Sequence, residues 1–203
     1  MKERPILFSA PMVRAILDGT KTQTRRVVKP QPRGDPSFEC GGPEYKDVHA
    51  VMCDGVRTMC PYGQPGEKLW VRETWAAPHS EDARPPRGIQ CDQSRIHYAA
   101  TEDRGGLLWR PSIHMPRWAS RITLEITGVR VERLQDISIE DCWAEGAAEW
   151  ASENPPRRPD GTADKFNNIR QAYRALWESI NGPGSWDENH WVWVVEFKRL
   201  EAA

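Results

Sequence analysis

Trp118-Ala119-Ser120-Arg121-Ile122-Thr123-Leu124-Glu125-Ile126-Thr127-Gly128-Val129-Arg130-Val131 decides the fold class. Ile122, Leu124 and Ile126 alternate with polar neighbours, the period of two that buries one face of a strand. Beyond Gly128 the apolar residues are Val129 and Val131, in the opposite phase. One extra residue at that point makes a bulge, and the stretch reads as a long strand or strand pair. Outward from it, Lys68–Thr74 alternates in the same way: Leu69, Val71 and Glu73 share one face, Trp70, Arg72 and Thr74 the other. Trp191–Phe197 is a closing strand, apolar on both faces at its start. Ile6-Leu7-Phe8, Thr24–Val28 and Ile96–Ala100 read as shorter strands.

Helical spacing appears in three places. Met12, Val13, Ile16 and Leu17 form one stripe on a helix over Ala10–Asp18, with Ser9 as cap, Pro11 in the first turn and Gly19 as stop. Ser138 starts a second helix, with Asp141 in the position of a capping-box acid. Phe166, Ile169, Tyr173, Leu176 and Ile180 place a third over Asp164–Ile180, stopped by Asn181-Gly182-Pro183-Gly184. The Pro-, Gly- and Cys-rich residues 30–66 read as a long loop or insertion, and residues 76–94 as a second polar loop. The resulting order, β α β β β–β α α β with irregular connections, implies an α+β fold. It suits a small mixed β-barrel with flanking helices and long loop insertions, in one domain over 1–203, better than a doubly wound sheet.

The chain has 203 residues, of which Leu, Ile, Val and Phe make up under a fifth, while Trp contributes ten. A net charge of -1 excludes the strongly charged, unfoldable class. No apolar run approaches the ~20 residues that span a bilayer, and Met1–Ser9 lacks a signal-peptide core, so neither a membrane nor export is expected. An odd count of five cysteines suits a reducing cytoplasm. Charge is unevenly distributed: residues 1–33 carry eight Lys/Arg against two acids, and residues 134–164 carry eight Asp/Glu against two Arg. Arg supplies 21 of the 28 basic residues, which suits phosphate or base recognition and equally a GC-rich coding sequence.

The densest chemical signal is Gly19-Thr20-Lys21-Thr22-Gln23-Thr24-Arg25-Arg26. Thr22, Thr24 and Arg26 share a face of the strand that follows, and Lys21 stands at the turn. Beside two guanidiniums and partly buried, the Lys21 ammonium is disfavoured. Its neutral amine is then a base able to take the proton of a threonine hydroxyl, otherwise a weak nucleophile. A solvated basic turn is the plainer reading of the same residues. In Asp141-Cys142-Trp143-Ala144-Glu145-Gly146, Glu145 is either a carboxyl kept protonated among apolar neighbours, fit for an acid, or an ordinary exposed helix glutamate. Trp70 and Glu73, with Trp75, offer a stacking ring and an acceptor for a cytosine amino group. His114-Met115-Pro116-Arg117-Trp118 repeats the pairing of basic and aromatic residues. Cys40, Cys53, Cys60 and Cys91, with His49 and His97, contain no C-x-x-C pair and match no zinc ribbon or finger, so neither a metal nor another cofactor is expected.

In family order these segments resemble the ASCH domain: Gly19-x-Lys21-Thr22-x-Thr24-x-Arg26, the strand Leu69-Trp70-Val71-Arg72-Glu73, Ile137-Ser138 through Glu145-Gly146, and Trp193-Val194-Val195-Glu196-Phe197. The resemblance spans residues 5–198. It implies the PUA-like superfold, a small β-barrel associated with RNA, with inserts at 30–66 and 76–116 like those of larger phage and prophage versions. Small members of that family remove the acyl group from N4-acetylcytidine and related N4-acylated cytosines. The resemblance therefore implies Lys21 as base, Thr24 as nucleophile and Glu145 as acid, and implies no metal. Arg26, Trp70, Glu73, Trp75, His114 and Arg117 are the expected substrate contacts. An RNA- or DNA-binding module using the basic N-terminal segment, and a ribonuclease, are the readings of other classes.

Overall fold

In the computed structural model the described residues are 2–32, 37–41, 47–53, 56–77, 96–102, 106–156 and 164–200; for 38–41, 47–49, 52, 53, 56 and 57 the description is of backbone alone. Ten strands and four helices are present among them. The site rests on β1 (Glu3–Leu7), α1 (Ala10–Leu17), β2 (Gln23–Val27), β6 (Lys68–Arg72), β9 (Thr123–Arg133), α2 (Ile139–Ala144), α3 (Ala147–Glu153), α4 (Ile169–Asn181) and β10 (Trp191–Leu200).

Five strands form one mixed sheet in the order β1-β6-β9-β10-β2. β1 runs parallel to β6, and the remaining pairs are antiparallel. The long strand is the sheet's centre, and its bulge falls where the phase change puts it. Glu196 pairs with Gly128 and Phe197 with Ile126, leaving Thr127 as the extra residue. Ile122, Leu124 and Ile126 are buried before the bulge and Val129 after it.

The fold is α+β, but its sheet does not close into a barrel ladder among the described residues. β1 and β2 are its two edges. A side chain joins them where a hydrogen-bonded ladder was expected: Arg26 Nη2 donates to the Leu7 carbonyl oxygen at 2.7 Å.

Three further differences from the sequence reading have local causes. Residues 30–66 contain a three-stranded antiparallel sheet, β3 (Ser37–Gly41), β4 (Asp47–Cys53) and β5 (Val56–Met59). The third expected helix begins at Ile169, because the Asn168 side chain accepts from the Gln171 N–H at 2.9 Å and caps it there. Between it and α2 stands the separate helix α3.

Most buried side chains form one cluster between the sheet and helices α1, α2 and α4, reached from the insertion by Val51 and Cys60. A satellite of Trp75, Ile96, Tyr98, Met115 and Ala119 packs by itself beneath the second insertion, beside β7 (Trp75–Ala76) and β8 (His97–Tyr98). The sequence offered no sign of that second unit. No helix of the described residues is long and apolar enough to cross a membrane.

Candidate active site

The site is built where α1 hands over to β2. Gly19 turns the helix end with φ +78°. The Thr20 and Lys21 N–H groups then both donate to the Ala15 carbonyl, at 2.9 and 3.0 Å. Thr22 N–H donates to the Ala144 carbonyl at 2.9 Å and pins this turn to the end of α2. Ser138 caps α2 as expected, accepting from Asp141 N–H at 3.0 Å. Glu145 ends that helix, and Gly146 at φ +74° breaks the chain into α3. A Cβ on Gly146 would lie 3.1 Å from Ala15 Cβ and 3.4 Å from Lys21 Cβ, so the absent side chain is what lets Lys21 pass.

Lys21 is buried, and its amine has three acceptors: Gln23 O at 2.7 Å, Glu145 O at 2.7 Å and Glu145 Oε2 at 3.0 Å. Three acceptors are the coordination of an ammonium. Burial nevertheless pulls the Lys21 pKa below its ordinary value; Glu145 opposes the shift, and Arg26 and Arg25 reinforce it. Arg25 shares the carboxylate. Its Nη1 donates to Glu145 Oε1 at 3.0 Å, its Nε to Glu132 Oε1 at 2.9 Å, and its Nη2 to Glu132 and Asp141. Arg130 backs this layer, donating to Asp141 Oδ2 at 2.6 Å and to Glu132 Oε2 at 3.2 Å, and it also pairs with Glu196. Charges therefore alternate from Lys21 through Glu145, Arg25, Asp141 and Glu132 to Arg130 and Glu196.

Thr24 is buried beside this network, and its hydroxyl makes no hydrogen bond among the described residues. Lys21, Thr24, Arg25, Arg26 and Glu145 all line one cavity of about 710 Å³. Phe8 forms part of the same wall, with Lys21 Nζ 5.6 Å and the Arg26 guanidinium 5.5 Å from its ring centre. Arg26 Nε is buried and has no hydrogen-bond partner among the described residues. Cys142, adjacent in the helix, has a thiol pushed up to about 11 by burial, which leaves it protonated and unreactive near neutrality.

Of the expected residues, Lys21, Thr24, Glu145 and Arg26 thus meet at one cavity, and Trp70, Glu73, Trp75, His114 and Arg117 are not among its lining residues. Glu73 is buried and held by Arg121 through two bonds of 2.9 Å. Trp70 lies under the guanidiniums of Arg72 and Arg117, at 5.0 and 6.0 Å. Trp75 belongs to the satellite cluster. Arg117 pairs with Glu3 at 2.7 Å, and His114 is exposed in a short 3-10 turn. Of the stretch Lys68–Trp75, only Thr74 lines the cavity.

The sequence reading missed Arg25 as a cavity residue, along with Tyr62, Tyr173 and Trp177. Arg25 was legible as the residue between Thr24 and Arg26 on the opposite face, yet its partners come from β9 and α2 and leave no local pattern. Among the described residues no His, Cys, Asp and Glu cluster has the arrangement of a metal site. His97 bonds Glu102 at 2.9 Å, Cys60 is a buried free thiol, and Cys91 and the side chains of Cys40, His49 and Cys53 lie outside the described residues. Comparison with protein-family models, with characterised proteins and with solved structures finds no match to this chain.

Proposed function

We propose that this protein is a metal-independent amidohydrolase that removes the acyl group from N4-acylated cytosine nucleosides, on a PUA-like barrel of which the open five-stranded sheet is the body. The observation that carries the reading is the meeting of Lys21, Thr24 and Glu145 at one cavity, with the Lys21 amine 3.0 Å from Glu145 and the Thr24 hydroxyl unbonded among the described residues. In the reaction, the neutral Lys21 amine takes the Thr24 hydroxyl proton as the oxygen attacks the acyl carbonyl. The ammonium so formed is the state for which three acceptors stand ready. Its proton crosses the hydrogen bond to Glu145 and passes to N4 of cytosine as the C–N bond breaks. Water, deprotonated by Lys21, then hydrolyses the acyl-threonine and releases the carboxylic acid. Arg26, which lines the cavity, is the candidate donor to the developing oxyanion.

Incubation of the purified protein with N4-acetylcytidine, followed by its ultraviolet spectrum, tests this directly. Cytidine is expected to form, and Lys21→Ala and Thr24→Val to abolish its formation. No release, or full activity in either variant, defeats the proposal.

The competing nucleic-acid module finds less support. Four of the eight basic residues of the N-terminal segment are engaged internally, through Arg4–Glu67, Arg14–Glu153, Lys21–Glu145 and Arg25 with three carboxylates. Trp70, Trp75, Trp177, Trp186 and Trp193 are buried, which removes them as stacking platforms.

A further inference from the structure

The charged pairs of the cavity come from Lys21, Arg25 and Glu145, and polar groups such as Ser112 and Asn181 also line it, but part of the lining has a different character. Seven large hydrophobic side chains are exposed among the described residues, and three of them, Leu7, Met59 and Ile180, line this cavity. They come from β1, β5 and α4, elements far apart in sequence, and are 39%, 44% and 57% exposed. Isolated exposed hydrophobics are ordinary; three converging on the mouth of one cavity form an apolar rim of the kind that marks a ligand site. Behind the rim, Met12, Leu176 and Trp177 continue the apolar wall inward, all buried. A volume of about 710 Å³ is that of a site for a whole drug-sized ligand, within the range of roughly 300–1,000 Å³. A floor of paired charges beneath an apolar mouth calls for a ligand with one polar, reactive end and one apolar body. A phosphate chain would place anions against Leu7, Met59 and Ile180, which offer them no donor. Lys29 is the cation in the lining outside the floor.

We propose that the rim and the wall behind it are a subsite for a bulky apolar acyl group, so that the preferred substrates are N4-cytosine amides of medium-chain or aromatic carboxylic acids. This rests on the amidohydrolase reading and specifies its substrate class. The chemistry at the floor is unchanged: the same C–N bond breaks, and a longer or aromatic carboxylic acid leaves.

The test is a series of N4-acylcytidines, acetyl, butanoyl, hexanoyl and benzoyl, compared by kcat/KM. Each methylene buried against the rim is expected to raise kcat/KM about fourfold, the equivalent of ~0.8 kcal/mol. In Met59→Asp and Ile180→Asp, exposed positions where substitution leaves the core untouched, the gradient across the series is expected to flatten, and a gradient as steep as that of the parent protein overturns the subsite. A flat or falling series in the parent protein overturns the subsite. Calorimetric binding of the same compounds to Thr24→Ala separates this from the reaction itself. If nothing is hydrolysed but hexanoyl still binds more tightly than acetyl, the reaction is wrong and the subsite stands. If all are hydrolysed at one rate and bind alike, the reaction stands and the subsite is wrong. Affinity that follows oligonucleotide length instead of acyl length also overturns it.

Discussion

In the proposed reaction Lys21 carries the reactive proton, and its behaviour follows from its burial and two neighbours, Glu145 and Arg25. Burial disfavours its ammonium, Glu145 favours it, and Arg25 takes the second oxygen of that same carboxylate. Because burial wins, the folded-state pKa lies below the ordinary lysine value. The neutral fraction, and with it kcat, therefore rises with pH along a limb centred below that value. Stability follows the same sign: between the folded and ordinary values the unfolded chain binds the extra proton, so raising pH through this window stabilises the fold. Arg25→Gln leaves the whole of the Glu145 carboxylate to Lys21, and the limb of the pH–rate profile moves to higher pH. Removing a guanidinium whose side chain is fully buried also leaves Asp141 and Glu132 to Arg130 alone and Glu145 Oε1 without its donor, at a cost of about 1–3 kcal/mol by denaturant titration. Arg25→Lys keeps the charge and loses the fork, so the limb stays near its original place while kcat falls. A profile unmoved in Arg25→Gln would remove Arg25 from the control of Lys21.

At the scale of elements, the corner between α2 and α3 matters more than either helix. Gly146 holds a left-handed backbone conformation and leaves space for the Lys21 stem. Gly146→Ala meets both obstacles. The conformation alone costs about 1–2 kcal/mol, and the new Cβ presses on Ala15 and Lys21, displacing the amine from Glu145. Gly184→Ala, at φ +80° with nothing within 4 Å, carries the strain without the collision. Thermal melts are expected to show both variants destabilised, and turnover per folded molecule to fall only in Gly146→Ala; equal activity in the two would disconnect this corner from the site. The elements themselves were legible in the sequence to different degrees. Period-two alternation located β6 and β9, and the phase change at Gly128 located the bulge, because those signals are local. The Ser138 cap and the Gly19 stop were legible for the same reason. The sheet of β3, β4 and β5 was hidden because its strands are short and lie among Pro and Gly, and their order comes from pairing with one another. Closure of the main sheet is not shown among the described residues: whether edges β1 and β2 pair depends on curvature, and in this chain Arg26 spans between them. Lys21 and Thr24 were singled out from the Gly19–Arg26 motif and Glu145 from the Asp141–Gly146 segment and the family resemblance, and all three line the cavity, whereas Arg25, Tyr173 and Trp177 required knowledge of which elements pack together.

On the scale of the whole molecule, the uneven charge distribution receives an internal explanation. The basic N-terminal segment and the acidic segment at 134–164 neutralise one another: Arg14 pairs with Glu153, Lys21 with Glu145, and Arg25 with Asp141 and Glu145. Exposed pairs such as Arg14–Glu153 contribute at most about 1 kcal/mol, so their larger consequence is to remove cations from the surface field. A polynucleotide ligand needs such cations, since each phosphate neutralised by Lys or Arg releases counterions and steepens the fall of affinity with salt. Binding of a single-stranded RNA or DNA oligonucleotide is therefore expected to be weak at physiological salt, with a log–log slope well short of the ~-0.7 per contacted phosphate that a row of six or more contacts would sum. Fluorescence anisotropy across a salt series measures that slope. A steep slope with tight binding would show that the ion pairs between the two segments open to receive phosphates, and would favour a nucleic-acid binder over the proposed amidohydrolase.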